Sequence, residues 1–196
     1  MRRITFDIET IGDFTGNGDF SSQELTIVGI HDSSSDQYSS YLKEELPQLW
    51  PLFESADLII GYNSDHFDIP ILNKYYAGDL TKIKSIDLLK EIKNVLGRRL
   101  RLDGVALATL GKGKIGHGLE AQKWWAEGKI EKVREYCLDD VRITKELYDY
   151  AKKYGVLKYK DFDLPAGKAG GIRDIKLDTS KWEANDGTSM THTLPF

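Results

Sequence analysis

The residues near the N-terminus show the first spacing that suggests chemistry, because Asp7 and Glu9 are separated by a single residue. Around them polar residues alternate with Ile4, Phe6 and Ile8, which predicts a half-buried β-strand. On such a strand both carboxylates point to one face, about 7 Å apart along the chain. Two like charges repel there unless a cation lies between them, and hard cations such as Mg²⁺ take carboxylate oxygens. The pair indicates either a divalent-metal site or two acids on a solvated strand edge.

A third candidate acid, Asp68, follows an apolar segment that predicts a short strand over 57–63. The composition of this strand is typical of a sheet centre covered on both faces. A helix is predicted over 67–78, so Asp68 lies at a helix start just beyond the carboxyl end of a strand. Ligand sites of open α/β sheets form in this position. The alternative is an acid that only stabilises a helix N-terminus through the helix dipole.

The fourth acid lies in a long helical element predicted over 119–154, with a break near Gly128. Tyr136 and Asp140 are four residues apart, so they share one face of this helix. The neighbouring Asp139 is rotated by about 100° and is predicted to be a solvated or capping acid. Asp140 is therefore the predicted site residue, with Asp139 as the alternative.

A basic stretch separates the third acid from the fourth. Residues 90–117 contain seven Lys or Arg against two acids, in a chain whose net charge is −4. A local basic excess in an acidic chain predicts phosphate contacts, although a solvated basic face is equally consistent with the pattern. The residues predicted to contact phosphate are Arg98, Arg99, Arg101, Lys112 and Lys114.

The remaining pattern alternates between strands and helices. The predicted elements are a strand at 25–30, a strand at 37–42, a helix at 44–56, a strand passing into a helix over 84–96, a helix at 102–110, and a hairpin of 157–159 with 171–177 around a turn at 165–167. The first two strands are predicted to form an antiparallel meander with the N-terminal strand. The signals weaken after residue 155. Residues 1–155 are therefore predicted to form the main domain, and 156–196 a C-terminal extension with a loosely ordered tail.

Length and composition limit the class of protein. With 196 residues, 40% of them hydrophobic and 30% charged, the chain fits one globular domain with an appendage. No apolar run approaches the roughly 20 residues of a membrane span, and the N-terminus lacks an apolar signal segment. The single cysteine, Cys137, excludes an internal disulfide framework, so a reducing cytoplasm is the expected compartment.

Three motifs occur in order along the chain: FDIET at 6–10, YNSDHFD at 62–68 and YCLDD at 136–140. In this order they resemble the motifs of the DEDD-type 3′–5′ exonucleases, in the subgroup that carries a tyrosine (DEDDy). The chain most resembles the proofreading exonuclease domains of family B DNA polymerases, over about residues 1–155. The resemblance implies an α/β ribonuclease H-like fold, with a mixed five-stranded sheet flanked by helices. The Gly-rich segment after Thr10 and the C-terminal extension depart from the family pattern.

The resemblance also implies a site for two divalent metal ions, Mg²⁺ or Mn²⁺, about 4 Å apart. Asp7 would bridge both ions, Glu9 and Asp140 would complete the first, and Asp68 would hold the second. One ion activates a water molecule and the other stabilises the leaving 3′-oxygen. Tyr136 would orient that water, because an ordinary phenol, with a pKa of about 10, is a poor base at neutral pH.

The family's contacts with the terminal nucleotide fall on Thr10, Asn63 and Phe67, and Ile11 is predicted to join them. The Phe67 ring would stack on or wedge against a base or sugar; the alternative is a core aromatic at a helix start. The implied activity is metal-dependent hydrolysis of phosphodiester bonds at the 3′ ends of single-stranded nucleic acid. The polymerase-like motifs favour DNA over RNA. Two alternatives remain: a catalytically silent ribonuclease H-like module that binds nucleic acid, and an endonuclease of the same fold. The complete carboxylate set disfavours the first, and the ordered third motif disfavours the second.

Overall fold

Five strands form the central sheet in the computed structural model, which describes residues 1–13, 20–113, 118–161 and 171–184. In chain order the elements are β1 (Arg3–Ile11), β2 (Glu24–Asp32), β3 (Gln37–Leu42), α1 (Leu46–Glu54), β4 (Leu58–Gly61), α2 (Asp68–Leu72), β5 (Ser85–Asp87), α3 (Leu88–Leu96), α4 (Leu102–Leu110), α5 (Gly118–Ala126), α6 (Ile130–Tyr154), β6 (Val156–Lys160) and β7 (Ile172–Lys176). The order of the strands in the sheet is β3-β2-β1-β4-β5, and β6 pairs separately with β7.

The central strand β1 gives the sheet its mixed character. It pairs antiparallel with β2 and parallel with β4. The outer strands continue this pattern, because β3 is antiparallel to β2 and β5 is parallel to β4. The predicted mixed five-stranded sheet and the antiparallel meander are therefore confirmed. All four residues of β4 are buried, as predicted for a strand covered on both faces.

The alternation along β1 divides its side chains between the two faces of the sheet. Ile4, Phe6 and Ile8 are buried in a cluster that includes apolar residues of α1 and α2. Asp7 and Glu9 therefore point to the opposite face. This second face lies against α6, whose residues reach the backbone of β1 and β2. The alternation of apolar and polar residues along β1 thus directs both carboxylates toward α6.

The helix α6 approaches the sheet closely at Gly29 of β2, which pairs with Asp7. A Cβ atom at residue 29 would lie 2.9 Å from Cys137 Sγ and 3.1 Å from Val141 Cγ2. A larger residue would have to displace α6 from the sheet, since protein cores are tightly packed. Glycine at position 29 therefore allows the third sequence motif, on α6, to lie beside the first motif, on β1.

The long helical element is interrupted where the sequence predicts it. α5 ends at Ala126 and α6 begins at Ile130, with Gly128 between them at a φ of +71°. Gly155 ends α6 with a φ of +69°, and its N–H donates to Ala151 O at 2.8 Å, which forms a left-handed cap. Within the described parts of the chain, no helix is both long and apolar enough to cross a membrane.

Two predicted helices differ in extent from the structure. The helix predicted over 44–56 begins as a 3₁₀ turn at Lys43–Glu45 and continues as α1. The helix predicted over 67–78 is limited to Asp68–Leu72. Asn73 follows it, and its side-chain oxygen accepts a hydrogen bond from the N–H of Leu80 at 2.9 Å. Turns continue from the helix as far as Tyr76, whose N–H donates to Leu72 O at 3.1 Å, and apolar periodicity does not reveal where the regular helix ends.

Beyond residue 155 the chain packs onto the main core. β6 and β7 form the predicted antiparallel hairpin, while its turn at 165–167 and the tail at 185–196 lie outside the described residues. The buried side chains of this region share one apolar cluster with residues of β4, α4 and α6, and they are Leu157, Tyr159, Ile175, Leu177 and Trp182. The described part of the C-terminal extension therefore contributes to the same core as the sheet.

Candidate active site

The candidate site begins on β1, where Asp7 and Glu9 are half-buried on the face toward α6. A β-bulge between Glu9 and Thr10 shifts the register with β2, and bulges change the direction of side chains. The Thr10 hydroxyl donates a hydrogen bond of 2.7 Å to Gln23 Oε1. Of the two nucleotide contacts predicted here, Thr10 is buried and bonded within the fold, whereas Ile11 is half-buried at the end of β1.

The helix α6 supplies a second group of side chains to this face. Tyr136 and Asp140 are each 4% exposed, so the face that they share is turned toward the protein interior. Cys137 is fully buried, with its Sγ 3.5 Å from Asp7 O and 3.9 Å from Asp7 Oδ2. One ligand atom each of Asp7, Glu9 and Cys137 lie within 4.8 Å of one another. The first and third sequence motifs therefore meet at this point.

The contact of Cys137 with the carboxylates is not visible in the sequence, because Cys137 and Asp7 are 130 positions apart. Burial raises the pKa of the Cys137 thiol well above its usual value, and the charges of Asp7, Glu9 and Asp140 raise it further. The sulfur therefore stays protonated among the acids. Asp7 and Glu9 lie beside the sulfur, and Asp140 follows Cys137 by three residues on the same side of α6, so the three carboxylates lie near one another.

Asp68 joins this region from the start of α2 and is 4% exposed. Its carboxylate accepts hydrogen bonds from its own backbone N–H and from the N–H of Ile8 in β1. Burial raises the pKa of Asp68 to about 8, with further contributions from the charges of Asp87 and Asp140, although the two hydrogen bonds oppose the shift. The second motif thus places a carboxyl group that is costly to ionise beside the first motif.

Asp139 points away from this cluster. Its carboxylate lies 3.0 Å from Arg142 Nη1, one turn further along α6, while Asp140 is buried. The orientation predicted from the helical phase is the one observed. Adjacent aspartates therefore have different surroundings, and only Asp140 faces the acids of β1 and α2.

The chemistry of the donor atoms fits hard divalent cations. Four carboxylates come from three separate elements, and they are Asp7, Glu9, Asp68 and Asp140. Carboxylate oxygens are the ligands that Mg²⁺ and Mn²⁺ prefer. Cys137 is a weak competitor for these ions, because its thiol is protonated and thiolates prefer softer metals. The site as a whole fits an oxygen-bound metal better than a sulfur-bound one.

The loop between β4 and α2 carries the predicted nucleotide contacts Asn63 and Phe67. Asn63 has a φ of +67°, and its N–H donates to Asp87 Oδ1 at 2.7 Å. The side-chain oxygen of Asn63 accepts a hydrogen bond from Arg99 Nη2. Phe67 is half-buried and packs edge-on against Phe20, with ring centroids 5.1 Å apart. This loop brings both predicted contacts to the start of α2, next to the carboxylates.

Two of the five residues predicted to contact phosphate are paired with acids elsewhere in the fold. Arg98 Nη2 lies 3.6 Å from Asp161 Oδ1, and its guanidinium also lies over the ring of Tyr159. Lys112 Nζ lies 2.7 Å from Glu146 Oε2. The sequence does not reveal these pairs, because each joins residues that are far apart along the chain.

The other three residues predicted to contact phosphate have different positions. Arg99 reaches the candidate site through its contact with Asn63. Arg101 is exposed immediately before α4, and Lys114 lies outside the described residues. Arg99 is therefore the member of this stretch that the structure brings to a predicted nucleotide contact.

Asp87 is a further residue near the site that sequence analysis did not single out. It ends β5 and is the N-cap of α3, where its carboxylate accepts the N–H of Leu89 at 2.9 Å. An aspartate directly before an apolar helical segment is an N-cap signal that the sequence contains. Its contact with Asn63 is not visible there, since the two residues are 24 positions apart.

Comparison with known proteins agrees with this architecture. Residues 4–152 match the family model of the RNase H superfamily. Among solved structures, the family B DNA polymerase from the hyperthermophilic archaeon Pyrobaculum calidifontis is similar, with a TM-score of 0.60 and 20% sequence identity. The similarity covers 77% of this chain and 24% of the polymerase chain. The predicted ribonuclease H-like fold is therefore confirmed.

Two curated DNA polymerases are similar in sequence. The Pyrococcus glycovorans polymerase is 23% identical over 190 residues, which cover 75% of this chain and 24% of the relative. The Thermococcus litoralis polymerase is 24% identical over 193 residues, which cover 75% of this chain and 11% of the relative. The chain thus spans about a quarter or less of the length of these relatives, and the predicted resemblance to family B DNA polymerases is confirmed. Because the family model covers most of its length, the chain belongs to the RNase H superfamily.

Proposed function

We propose that this protein is a metal-dependent 3′–5′ exonuclease that removes nucleotides from the ends of single-stranded nucleic acid, with DNA favoured over RNA. The observation that carries the proposal is the convergence of four carboxylates from β1, α2 and α6 around the second half of β1, where Asp7 and Glu9 lie beside Cys137 of α6 and Asp68 accepts the N–H of Ile8. Nuclease activity is consistent with the superfamily and with the polymerases among its relatives.

The four acids have distinct proposed roles around two Mg²⁺ or Mn²⁺ ions. Asp7, on the central strand, would contact both ions, Glu9 and Asp140 would hold the first, and Asp68 would hold the second. When bound, the ions supply activation of the attacking water and stabilisation of the leaving 3′-oxygen. Clustered acids that repel one another without a cation favour this arrangement, because cation binding relieves the repulsion.

Tyr136 is proposed to orient the attacking water through its hydroxyl group. Its ring is 4% exposed and packs edge-on against Trp124 of α5, with ring centroids 6.2 Å apart. Packing of this kind restricts the ring, so the hydroxyl has few positions available. A fixed hydroxyl contributes through orientation, which is an effective source of rate enhancement when the reacting atoms are already close.

The loop with Asn63 and Phe67 is proposed to receive the terminal nucleotide. Phe67 offers an aromatic ring for contact with a base or sugar, and Arg99 places a cation beside the Asn63 amide. Thr10 would contribute mainly by shape, since its hydroxyl already donates to Gln23. The proposed preference for DNA is supported by the similarity to two DNA polymerases.

The test is digestion of 5′-labelled single-stranded DNA, duplex DNA and RNA with Mg²⁺, Mn²⁺ or EDTA. The proposal predicts stepwise shortening from the 3′ end with a metal ion, and no shortening in EDTA. A 3′-phosphorylated strand serves as a control, because its blocked terminus should slow the first step. Internal cuts would instead identify an endonuclease of the same fold. Binding without cleavage would identify a silent nucleic-acid-binding module.

The cytoplasm is the proposed compartment. The support is the single cysteine of the sequence, since a protein made for an oxidising compartment commonly uses paired cysteines. The buried Cys137 thiol is used in packing against Asp7 and Gly29.

A further inference from the structure

The carboxylate of Asp87 is buried between the start of α3 and the loop that carries Asn63. It accepts four backbone N–H groups, and it is only 5% exposed. Two of the donors belong to α3, Leu89 at 2.9 Å and Lys90 at 3.2 Å. The other two belong to the loop, Asn63 at 2.7 Å and Asp65 at 3.2 Å. One side chain therefore caps a helix and at the same time holds the loop.

The loop needs such support at Asn63. A φ of +67° lies in the left-handed region, which asparagine adopts more readily than most residues with a side chain, and contacts to its backbone help to hold it there. Asp87 holds the backbone N–H of Asn63, and Arg99 contacts its amide oxygen. The direction in which Asn63 presents its side chain thus depends on Asp87.

The first turn of α3 holds the loop at a second point as well. Asp65 Oδ2 lies 2.6 Å from Lys90 Nζ, and Asp65 Oδ1 accepts a hydrogen bond of 2.9 Å from the hydroxyl of Ser85. Asp87 and Lys90 therefore contact the loop from one rigid element. The loop is thus joined to both β5 and α3 by side-chain contacts.

Capping alone does not explain a buried charge at this position. Serine or threonine would cap α3 about as well without the cost of burying a carboxylate. The Asp87 charge also acts on Asp68, whose pKa it helps to raise. A short hydroxyl side chain, however, does not have two oxygens that can reach Asn63 and Asp65 together. The carboxylate is the group that joins helix and loop.

We propose that Asp87 is a positioning residue that fixes Asn63 for contact with the terminal nucleotide of a single-stranded substrate. This inference rests on the proposed exonuclease function and adds a residue that none of the three motifs contains. Asp87 acts through Asn63 and does not itself touch the nucleotide. Its loss should therefore weaken binding of the strand end more than it slows the chemical step.

The test compares Asp87→Ser with the matched control Asp79→Ser. Asp79 is also an N-cap aspartate, which accepts the N–H of Thr81 at 3.0 Å, but it lies before the 3₁₀ turn at Leu80–Lys82 and does not contact the Asn63 loop. Serine keeps the cap in both variants. The probe is a 5′-fluorescein single-stranded DNA 12-mer, with anisotropy measured in Ca²⁺ and turnover in Mg²⁺. Asp87→Ser should raise the Kd and the KM at least about tenfold with a smaller change in kcat, whereas Asp79→Ser should change none of them more than about twofold.

A double-mutant cycle distinguishes positioning from general stability. Asn63→Ala should weaken binding in the natural protein but have little further effect in Asp87→Ser, because both changes remove the same contact. Equal losses in the two backgrounds would overturn the proposal, as would an unchanged Kd in Asp87→Ser. If Asp87→Ser fails to unfold cooperatively, Asp87→Asn, which keeps one acceptor oxygen, should raise the Kd about threefold, and no rise would overturn the proposal. A natural protein that neither binds nor cleaves the 12-mer would overturn the proposed function itself, which separates the two failures.

Discussion

Two acids that contact opposite halves of β1, Glu183 and Asp68, lie in opposite electrostatic environments. Near the start of the strand, Glu183 contacts Arg3 Nη1 at 2.7 Å, Lys152 Nζ at 3.2 Å and the Tyr148 hydroxyl at 2.8 Å. Burial opposes ionisation there, but the hydrogen bonds outweigh it and lower the pKa of Glu183 to about 2. Further along the strand, burial and neighbouring acids raise the pKa of Asp68 to about 8. The same chemical group is stabilised as an anion in one region and destabilised in the other.

The difference separates acids that hold the fold together from acids that weaken it. An acid paired with cations contributes stability when it is ionised, whereas crowded acids reduce stability until a cation binds among them. Proteins commonly accept such a local cost at functional sites. Removing one carboxylate should therefore have opposite effects on stability in the two regions, and this contrast can be tested.

The largest expected effect is on catalysis in the crowded region. Asp140→Asn should reduce the nuclease rate by on the order of 10³-fold or more, because a metal ligand is lost. The metal-free variant should be as stable as the natural protein or more stable by about 1 kcal/mol, since one repulsive charge is removed. Thermal unfolding with and without Mn²⁺, measured beside nuclease rates, should also show that most of the metal-induced rise in Tm is lost.

Asp139→Asn is the matched control for this prediction. Its carboxylate contacts Arg142 rather than the cluster, so activity, metal response and stability should each change only modestly. Tyr136→Phe should keep the Mn²⁺ response but slow turnover, because only the hydroxyl is removed. If Asp139→Asn were the inactive variant, the assignment of the two aspartates would have to be exchanged.

The second expected effect is a fall in the stability of the metal-free protein as pH rises. The pKa of Asp68 is raised by burial and by neighbouring acids, so its contribution is fully present below the unfolded-state pKa of about 4 and is lost as pH rises toward 8. The loss should reach at least ~2 kcal/mol across this window. Denaturant unfolding in EDTA at several pH values measures it. Mn²⁺ should restore most of the stability at pH 8, because metal binding favours ionised ligands.

Asp68→Asn supplies the control for the pH effect. The amide does not titrate, so its metal-free stability should be nearly constant between pH 5 and 8 apart from other groups. If the unfolding free energy of Asp68→Asn falls with pH as steeply as that of the natural protein, Asp68 is not the source of the pH dependence. The opposite pKa shifts of Asp68 and Glu183 would then have no counterpart in the measured stability.

The sequence revealed those parts of the site that depend on local periodicity. Alternation along β1 placed Asp7 and Glu9 on one face, and the helical phase distinguished Asp140 from Asp139. The antiparallel meander followed from the apolar segments and the turn between them, and the mixed five-stranded sheet followed from the family resemblance. The three motifs in their fixed order predicted the ribonuclease H-like fold through the family resemblance, which none of them would do alone.

The sequence did not reveal features that depend on contacts between distant residues. Arg98 and Lys112 were predicted to contact phosphate, but each has an acidic partner, Asp161 and Glu146, that folding brings near. Asp87 was overlooked because its role arises from a loop 24 residues earlier. These contacts are set by tertiary packing, and composition counts alone carry no information about them.

The smallest expected effect concerns the paired region. Glu183→Gln should destabilise the protein by about 1–2 kcal/mol at pH 7, a range discounted because the side chain is 27% exposed. The variant removes the charge that accepts from Arg3 and Lys152 while keeping the size of the side chain. Nuclease activity should not change, since Glu183 contacts Arg3 at the start of β1 and none of the residues proposed to bind metal. Denaturant unfolding and the exonuclease assay measure the two properties.

The pH dependence of this effect has the opposite sign to that of Asp68. Because the pKa of Glu183 is lowered in the folded state, its contribution is present above about pH 4.5 and is lost as pH falls toward 2. The difference in unfolding free energy between the natural protein and Glu183→Gln should therefore disappear over that window. Glu24→Gln is the matched control, because Glu24 is exposed and lies 3.9 Å from Lys43, so its loss should cost at most about 0.5 kcal/mol. Equal destabilisation by both variants would show that the contacts of Glu183 stabilise the fold no more than an exposed ion pair does. The acids at the two ends of β1 would then not differ in their contribution to stability.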